Sequence, residues 1–213
     1  MGLMIKELLK KRLMDRTDII NFFIKKYGYF SYLEIGVNLI QHNFDKVIAP
    51  NKTGVDPNPN LSGIEFRMTS NNFFIENNKT FDIIFIDGLH HADQVYEDIK
   101  NSINVLNDGG VIILHDCCPT NEKMQLVPQI EIGEWTGDVW KAFIKYRTET
   151  TKYNMFVINT DFGVGIIKKS NDEVKPLILK DELSYDDLVK NRIEWLNLIN
   201  TDEIELTLNK YGI

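Results

Sequence analysis

The sequence predicts a doubly wound α/β fold, and three observations carry that prediction. Apolar runs such as FDIIFI (81–86) and GGVIIL (109–114) are continuous rather than alternating, as strands buried on both faces must be. Between such runs lie segments with helical spacing; ADQVYEDIKNSINVLN, for example, puts Val95, Ile99, Ile103 and Leu106 on one face. Strand and helix therefore alternate, the pattern of a mainly parallel sheet covered by helices on both sides.

The elements follow in order. Ile5, Leu8, Leu9 and Leu13 recur at near-helical spacing, and a second helical run, DIINFFIKKYG, begins after Thr17 and Asp18 and stops at Gly28. SYLEIGV is a strand, HNFDKVI a helical stretch, TGVDPNP a short strand ended by Pro57 and Pro59, and NNFFIENN a helix. After FDIIFIDG, the long helix and GGVIILHD, MFVINT and FGVGIIKK read as two strands joined by a polar turn at Thr160 and Asp161, an antiparallel edge hairpin. YDDLVKNRIEWLNLI is a final helix beginning after Ser184. The expected organisation is a helical extension over 1–28, a core over 29–170 and a second helical extension over 171–213. The N-terminal segment carries more apolar residues than one sheet face needs. It is expected to cover the active site or to dock on a second subunit, giving a homodimer.

Composition narrows the function classes. At 213 residues and 43% hydrophobic, the chain can bury one substantial core. A formal charge of -7 argues against non-specific nucleic-acid binding, which needs a basic footprint. No window approaches the ~20 apolar residues of a bilayer span, and charges interrupt the apolar positions of the N-terminus, so a cytoplasmic location is expected. Cys117 and Cys118 are neighbours and lack the C-x-x-C pairs of a zinc site. There is no G-x-G-x-x-G turn to seat a dinucleotide pyrophosphate and no P-loop.

In open α/β sheets, ligands bind beyond the carboxyl ends of the strands. Here each central strand ends in acid: Glu34, Asp56, Asp87 and Asp116. One such acid is readily explained as a helix cap. Four together would repel one another unless a cation, a ligand hydroxyl or a hydrogen-bond donor offsets the charge.

Taken in order, YLEIGV, GVDPNP, FDIIFIDGLHHADQVYEDI and LNDGGVIILHD resemble the class I S-adenosylmethionine-dependent methyltransferases, and within them the small O-methyltransferases of the sugar O-methyltransferase type. The resemblance covers roughly residues 30 to 170. It implies a Rossmann-like, seven-stranded, mainly parallel sheet with an antiparallel C-terminal hairpin. It also implies S-adenosylmethionine as cofactor, with Glu34 near the methionine part and Asp56 accepting from both ribose hydroxyls, for which a two-oxygen carboxylate is suited. Gly36 would allow close approach of the backbone, although further glycines usual in the family are absent after it. Thr69 and Ser70 fall where the family contacts adenine, and Asp87 lies at the same cofactor edge.

The acceptor side follows from the same resemblance. Metal-dependent relatives hold a divalent ion at positions that map onto Asp87, His115 and Asp116. An imidazole in that set favours manganese, iron or zinc over magnesium. The relatives' base position falls on Leu89, so His90 or His91 would have to take the proton, with His115 and Asp116 as further catalytic candidates. Trp135, Asp138 and Trp140, in the long loop after LHD, flank a glycine as a lid or acceptor pocket requires, and aromatic faces suit sugar rings; helix capping by Thr136 or Asp138 with Trp140 in the core explains them equally well. The expected activity is O-methylation of a small hydroxylated acceptor such as a sugar or glycan precursor. The competing readings are a non-catalytic cofactor-binding or scaffold module, favoured by Leu89 and the missing glycines, and a hydroxylase-like enzyme on the same fold.

Overall fold

The computed structural model describes residues 14–179 and 183–213. The expected helix around Ile5 to Leu13 lies outside them. Seven strands form one sheet in the order β2-β1-β3-β4-β6-β5-β7, where β1 is Ser31–Ile35, β2 Asn51–Val55, β3 Phe81–Ile86, β4 Leu106–Leu114, β5 Tyr153–Ile158, β6 Val164–Lys169 and β7 Leu198–Ile199. β1, β2, β3 and β4 pair in parallel, while β6 runs antiparallel to both neighbours, closing the expected hairpin. Order reverses between β1 and β3, and the carboxyl ends of β1 to β4 share one edge.

One face of the sheet is covered by α2 (Ser70–Glu76), α3 (Ala92–Asn104), α4 (Val139–Glu149) and α5 (Tyr185–Leu196). The other face takes α1 (Arg16–Tyr27), whose Ile19, Ile20, Phe23 and Ile24 are buried, and α6 (Ile204–Lys210). Alternate residues of each strand supply the two cores. Leu33 and Ile84 point to one side and Tyr32, Ile83 and Phe85 to the other, as pleating requires. This explains why the strand runs are apolar throughout. Asp15 and Asp18 form a capping box at the start of α1, and Gly28 ends it in the left-handed conformation. Among the described residues no helix is long and apolar enough to cross a membrane.

Two elements differ from the sequence expectation. HNFDKVI is not a helix but a single 3-10 turn, Phe44–Lys46. Its backbone groups find partners elsewhere: Asn21 of α1 donates to the Lys46 carbonyl at 3.0 Å and accepts from the Ile48 N–H at 3.0 Å, so a helical ladder is not needed to satisfy them. Seven strands are present as expected, but the seventh, Leu198–Ile199, lies in the stretch read as the end of the final helix, which stops at Leu196. Beyond β2 the chain makes only an isolated bridge, Val55 to Phe66, whereas Leu198–Ile199 adds to the opposite edge beside β5.

Candidate functional site

Beyond the carboxyl ends of β1, β2, β3 and β4 lies a cavity of about 890 Å³. At one end stands Asp56, which follows β2. Its carboxylate is 8% exposed and accepts backbone N–H groups from Asn38 and Asn58, both at 2.8 Å. Asn38 holds a left-handed φ of 51° to make that contact. Thr69 and Ser70 also line the cavity. Thr69 caps α2 through the Asn72 N–H, and Ser70 accepts from Gln94 at 3.3 Å, which ties α2 to α3.

Glu34 forms part of the cavity floor. It accepts from Asn43 at 2.9 Å and from the Tyr32 hydroxyl, and Asn43 in turn accepts from Thr17 of α1 at 2.8 Å. Burial pushes the Glu34 carboxyl up to about 8, against the opposing hydrogen bonds from Tyr32 and Asn43. Gly36 has a role beyond approach to a ligand. At its φ of 87°, a Cβ would stand 2.2 Å from the Asp87 carbonyl oxygen, so the glycine lets β1 and β3 meet at their ends.

The other end of the cavity gathers charge. His90 Nε2 is 3.3 Å from Asp87 Oδ1 and its Nδ1 is 3.3 Å from Asp116 Oδ2. His115 Nδ1 is 3.1 Å from Asp116 Oδ2 and 3.4 Å from Asp87 Oδ1, while its Nε2 is 3.4 Å from Asp161. Asp87, His90, His115 and Asp116 are therefore brought together. His91 is not. It occupies the N-cap position of α3 without a side-chain cap bond, meets the edge of Trp135 and lines a different cavity beside Asp138 and Lys141. Neighbours leaving a strand end point in different directions, and here His90 takes the cavity.

Two members of the cluster had no signal in the sequence. Arg16, the first residue of α1, donates from Nη1 to Asp87 at 2.9 Å and from Nε to Asp161 at 3.0 Å. Its backbone N–H bonds the same Asp161 oxygen at 2.9 Å. Asp161 was recognisable only as a turn residue. It adopts φ 46°, and Asp116 adopts φ 61°; such left-handed non-glycine backbone concentrates where surroundings hold a side chain in place.

The charges set one another. Burial opposes charge on His115, but Asp87, Asp116 and Asp161 outweigh it and hold the imidazole well above its ordinary value. His90 is raised against burial by Asp87 and Asp116. Asp87, although buried, is held well below the carboxylate range by His115, His90 and Arg16, and Asp161 is held down to about 2 by His115 and Arg16 against its burial. His115 Nδ1 faces both a donor, Arg16 Nη1 at 3.1 Å, and the two carboxylates. It cannot serve both, and because Arg16 Nη1 already has Asp87, the two anions assign the proton to Nδ1.

The long loop between β4 and α4 closes over this end. Trp135 stacks on His90 with ring centroids 5.2 Å apart and an angle of 27°, anchored by its Nε1 donating to the Leu126 carbonyl at 2.8 Å. Asp138 accepts the Ala92 N–H at 2.7 Å, capping α3 rather than its own helix, and Trp140 is core.

Residues 21–117 match a family model described as a methyltransferase domain. Over that stretch, somewhat under half of the chain, the sequence is similar to a methyltransferase domain. Solved structures agree on the fold around that stretch. The O-methyltransferase from Bacillus cereus in complex with SAH aligns at a TM-score of 0.52 and 12% identity, covering 79% of this chain and 88% of that one. An SAH-bound methyltransferase from Podospora anserina aligns at 0.54 and 13% identity, covering 73% and 78%. The Streptomyces achromogenes O-methyltransferase of tomaymycin synthesis, in complex with SAM, aligns at 0.52 and 10%, covering 71% and 78%. At these identities the likeness concerns the fold alone. A search of curated proteins finds no match.

Within the matched stretch, Asp87, His90 and Asp116 offer ligand atoms within 4.8 Å of one another, so His90 stands in this group where the sequence pointed to His115. A divalent ion nevertheless fits poorly while Arg16 is in place. Asp87 Oδ2 is already taken by the guanidinium, and the two nitrogens of His90 face different carboxylates instead of one shared centre.

Proposed function

We propose that this chain is an S-adenosylmethionine-dependent O-methyltransferase for a small hydroxylated acceptor, with a sugar or glycan precursor as the substrate class. The observation that carries the reading is the single cavity joining a buried carboxylate, Asp56, to the imidazole and carboxylate cluster beyond β3 and β4. Each oxygen of Asp56 accepts one backbone N–H, and a carboxylate oxygen has room for a second donor, so both can still bind a vicinal diol such as a ribose. The cofactor class is supported by the SAH and SAM complexes of similarly folded methyltransferases.

S-adenosylmethionine, when bound, supplies an electrophilic methyl group, and its transfer to oxygen requires the acceptor hydroxyl to lose a proton. Asp56 and Glu34 lie on the half of the cavity suited to hold the cofactor. Trp135 and Leu89 wall the other half with an aromatic face and an apolar side chain, a surface against which a sugar ring can lie. His90 is the base this geometry favours. It lines the cavity, is oriented by Trp135, and each of its nitrogens stands 3.3 Å from a carboxylate. Asp87 and Asp116 stabilise the imidazolium that proton transfer creates.

Calorimetry with S-adenosylmethionine and S-adenosylhomocysteine, followed by a transfer assay on a panel of free and nucleotide-linked sugars, tests the proposal. Binding with methylation of a sugar hydroxyl supports it. Absence of cofactor binding at millimolar concentration overturns the enzyme reading, and binding without transfer to any hydroxyl favours a non-catalytic module.

A further inference from the structure

Arg16 comes from a helix that begins 71 residues before Asp87, yet it is seated at the centre of the acidic cluster. Its placement is built, not incidental. Asp161 binds both the Arg16 backbone N–H and Nε, and Thr160 of the same turn donates to the Met14 carbonyl at 2.6 Å, so the start of α1 is fastened to the β5–β6 turn. The capping box of Asp15 and Asp18 sets the helix direction from that point. Nη1 then reaches Asp87 and the edge of His115, and the guanidinium lines the cavity.

Three carboxylates, Asp87, Asp116 and Asp161, converge here. An arginine remains charged at any pH the protein experiences, so the cluster holds a permanent cation. A divalent ion bound to Asp87 through Oδ1, the oxygen that faces His90, would stand within a few ångströms of that like charge, and the other oxygen, Oδ2, already accepts from Arg16 at 2.9 Å.

We propose that Arg16 is the resident cation of this site, filling the role a divalent metal would otherwise take, so that the chain neither requires nor tightly binds a metal at Asp87, His90 and Asp116. Arg16 acts here as a positioning residue, holding the Asp87 carboxylate in place beside His90. The assignment rests on the methyltransferase reading for the reaction it serves, but its test does not.

The experiment is a Mn²⁺ titration, read by electron paramagnetic resonance, of the full chain and its Arg16→Gln and Arg16→Lys variants, each paired with calorimetric titration of S-adenosylhomocysteine. Arg16→Gln is expected to bind Mn²⁺ more tightly than wild type by about tenfold or more, because the competing charge is gone while the carboxylates remain. Arg16→Lys, which keeps the charge, should stay with the wild type. Equal Mn²⁺ affinity in wild type and Arg16→Gln overturns the proposal. So does micromolar Mn²⁺ binding by the wild type, a result that stands even if Arg16→Gln fails to fold by circular dichroism; wild type and Arg16→Lys that both exclude the ion support it in that event. Loss of S-adenosylhomocysteine binding in all three proteins would count against the proposed function and leaves the Mn²⁺ comparison to judge Arg16.

Discussion

Gly137 and His90 touch backbone to backbone: a Cβ at Gly137 would lie 1.8 Å from the His90 carbonyl oxygen. The same carbonyl accepts the Asp138 N–H at 3.2 Å, so the loop carrying Trp135 is locked to the residue it stacks on. Gly137→Ala is expected to destabilise the fold by about 2 kcal/mol or more, combining the clash with the cost of a left-handed φ of 57° for an L-residue. It should also lower turnover more than S-adenosylhomocysteine affinity, because His90 shifts and Asp56 does not. Denaturant titration and paired kinetics check this; unchanged stability would mean that the loop relaxes freely.

Asp56→Ala should weaken cofactor binding at least about tenfold, since charge-assisted hydrogen bonds to a ribose are worth ~1.5 to 3 kcal/mol each. Asp56→Asn keeps one acceptor oxygen, which serves only one of the Asn38 and Asn58 N–H groups and turns a donor NH2 against the other, so it too is expected to weaken binding. Calorimetry on both variants decides the point, and retention of full affinity by Asp56→Ala would remove Asp56 from the binding site.

His90 and His91 should separate cleanly. His90→Ala is expected to cost turnover by about 10²-fold, while His91→Ala, outside the cluster, stays within a few-fold of wild type. Because Asp87 and Asp116 raise the His90 pKa, the free base forms only above the ordinary imidazole range, so the rising limb of the pH–rate profile should lie above about pH 6.5. A full rate in His90→Ala, or a limb below that pH, would move the base elsewhere.

Glu34 predicts a pH dependence of stability. Burial raises its folded pKa to about 8, while an unfolded glutamate titrates near 4.3, at about the model-peptide value. The folded state therefore holds a proton that the unfolded state releases. Its contribution is fully present below the unfolded value and is lost as pH rises through the folded one. Between about pH 5 and pH 8 the wild type should lose more stability than Glu34→Gln, whose neutral amide mimics the protonated acid. Parallel denaturant curves for the two proteins measure the difference; identical slopes with pH would show that Glu34 is already ionised in the folded protein.

The sheet and the edge where the site lies were legible in the amino-acid sequence alone. Short continuous apolar runs bounded by turn residues read as strands buried on both faces, and acids at their ends, Asp56 after TGV and Asp87 after FDIIFI, emerge together once those strands lie parallel. These are local patterns read along short windows. Tertiary structure decided what periodicity does not encode. The HNFDKVI stretch became a turn because Asn21, on another element, satisfied its backbone, and Leu198–Ile199 became a strand because β5 offered a free edge. His90 rather than His91 faced the cavity through the direction in which the chain leaves β3 and the stacking of Trp135. Arg16 reached Asp87 only because α1 packs across the sheet and is pinned at the turn holding Asp161. A pairing between residues 71 positions apart leaves no trace in the spacing of either, so the charge balance of the site became readable only once the chain was folded.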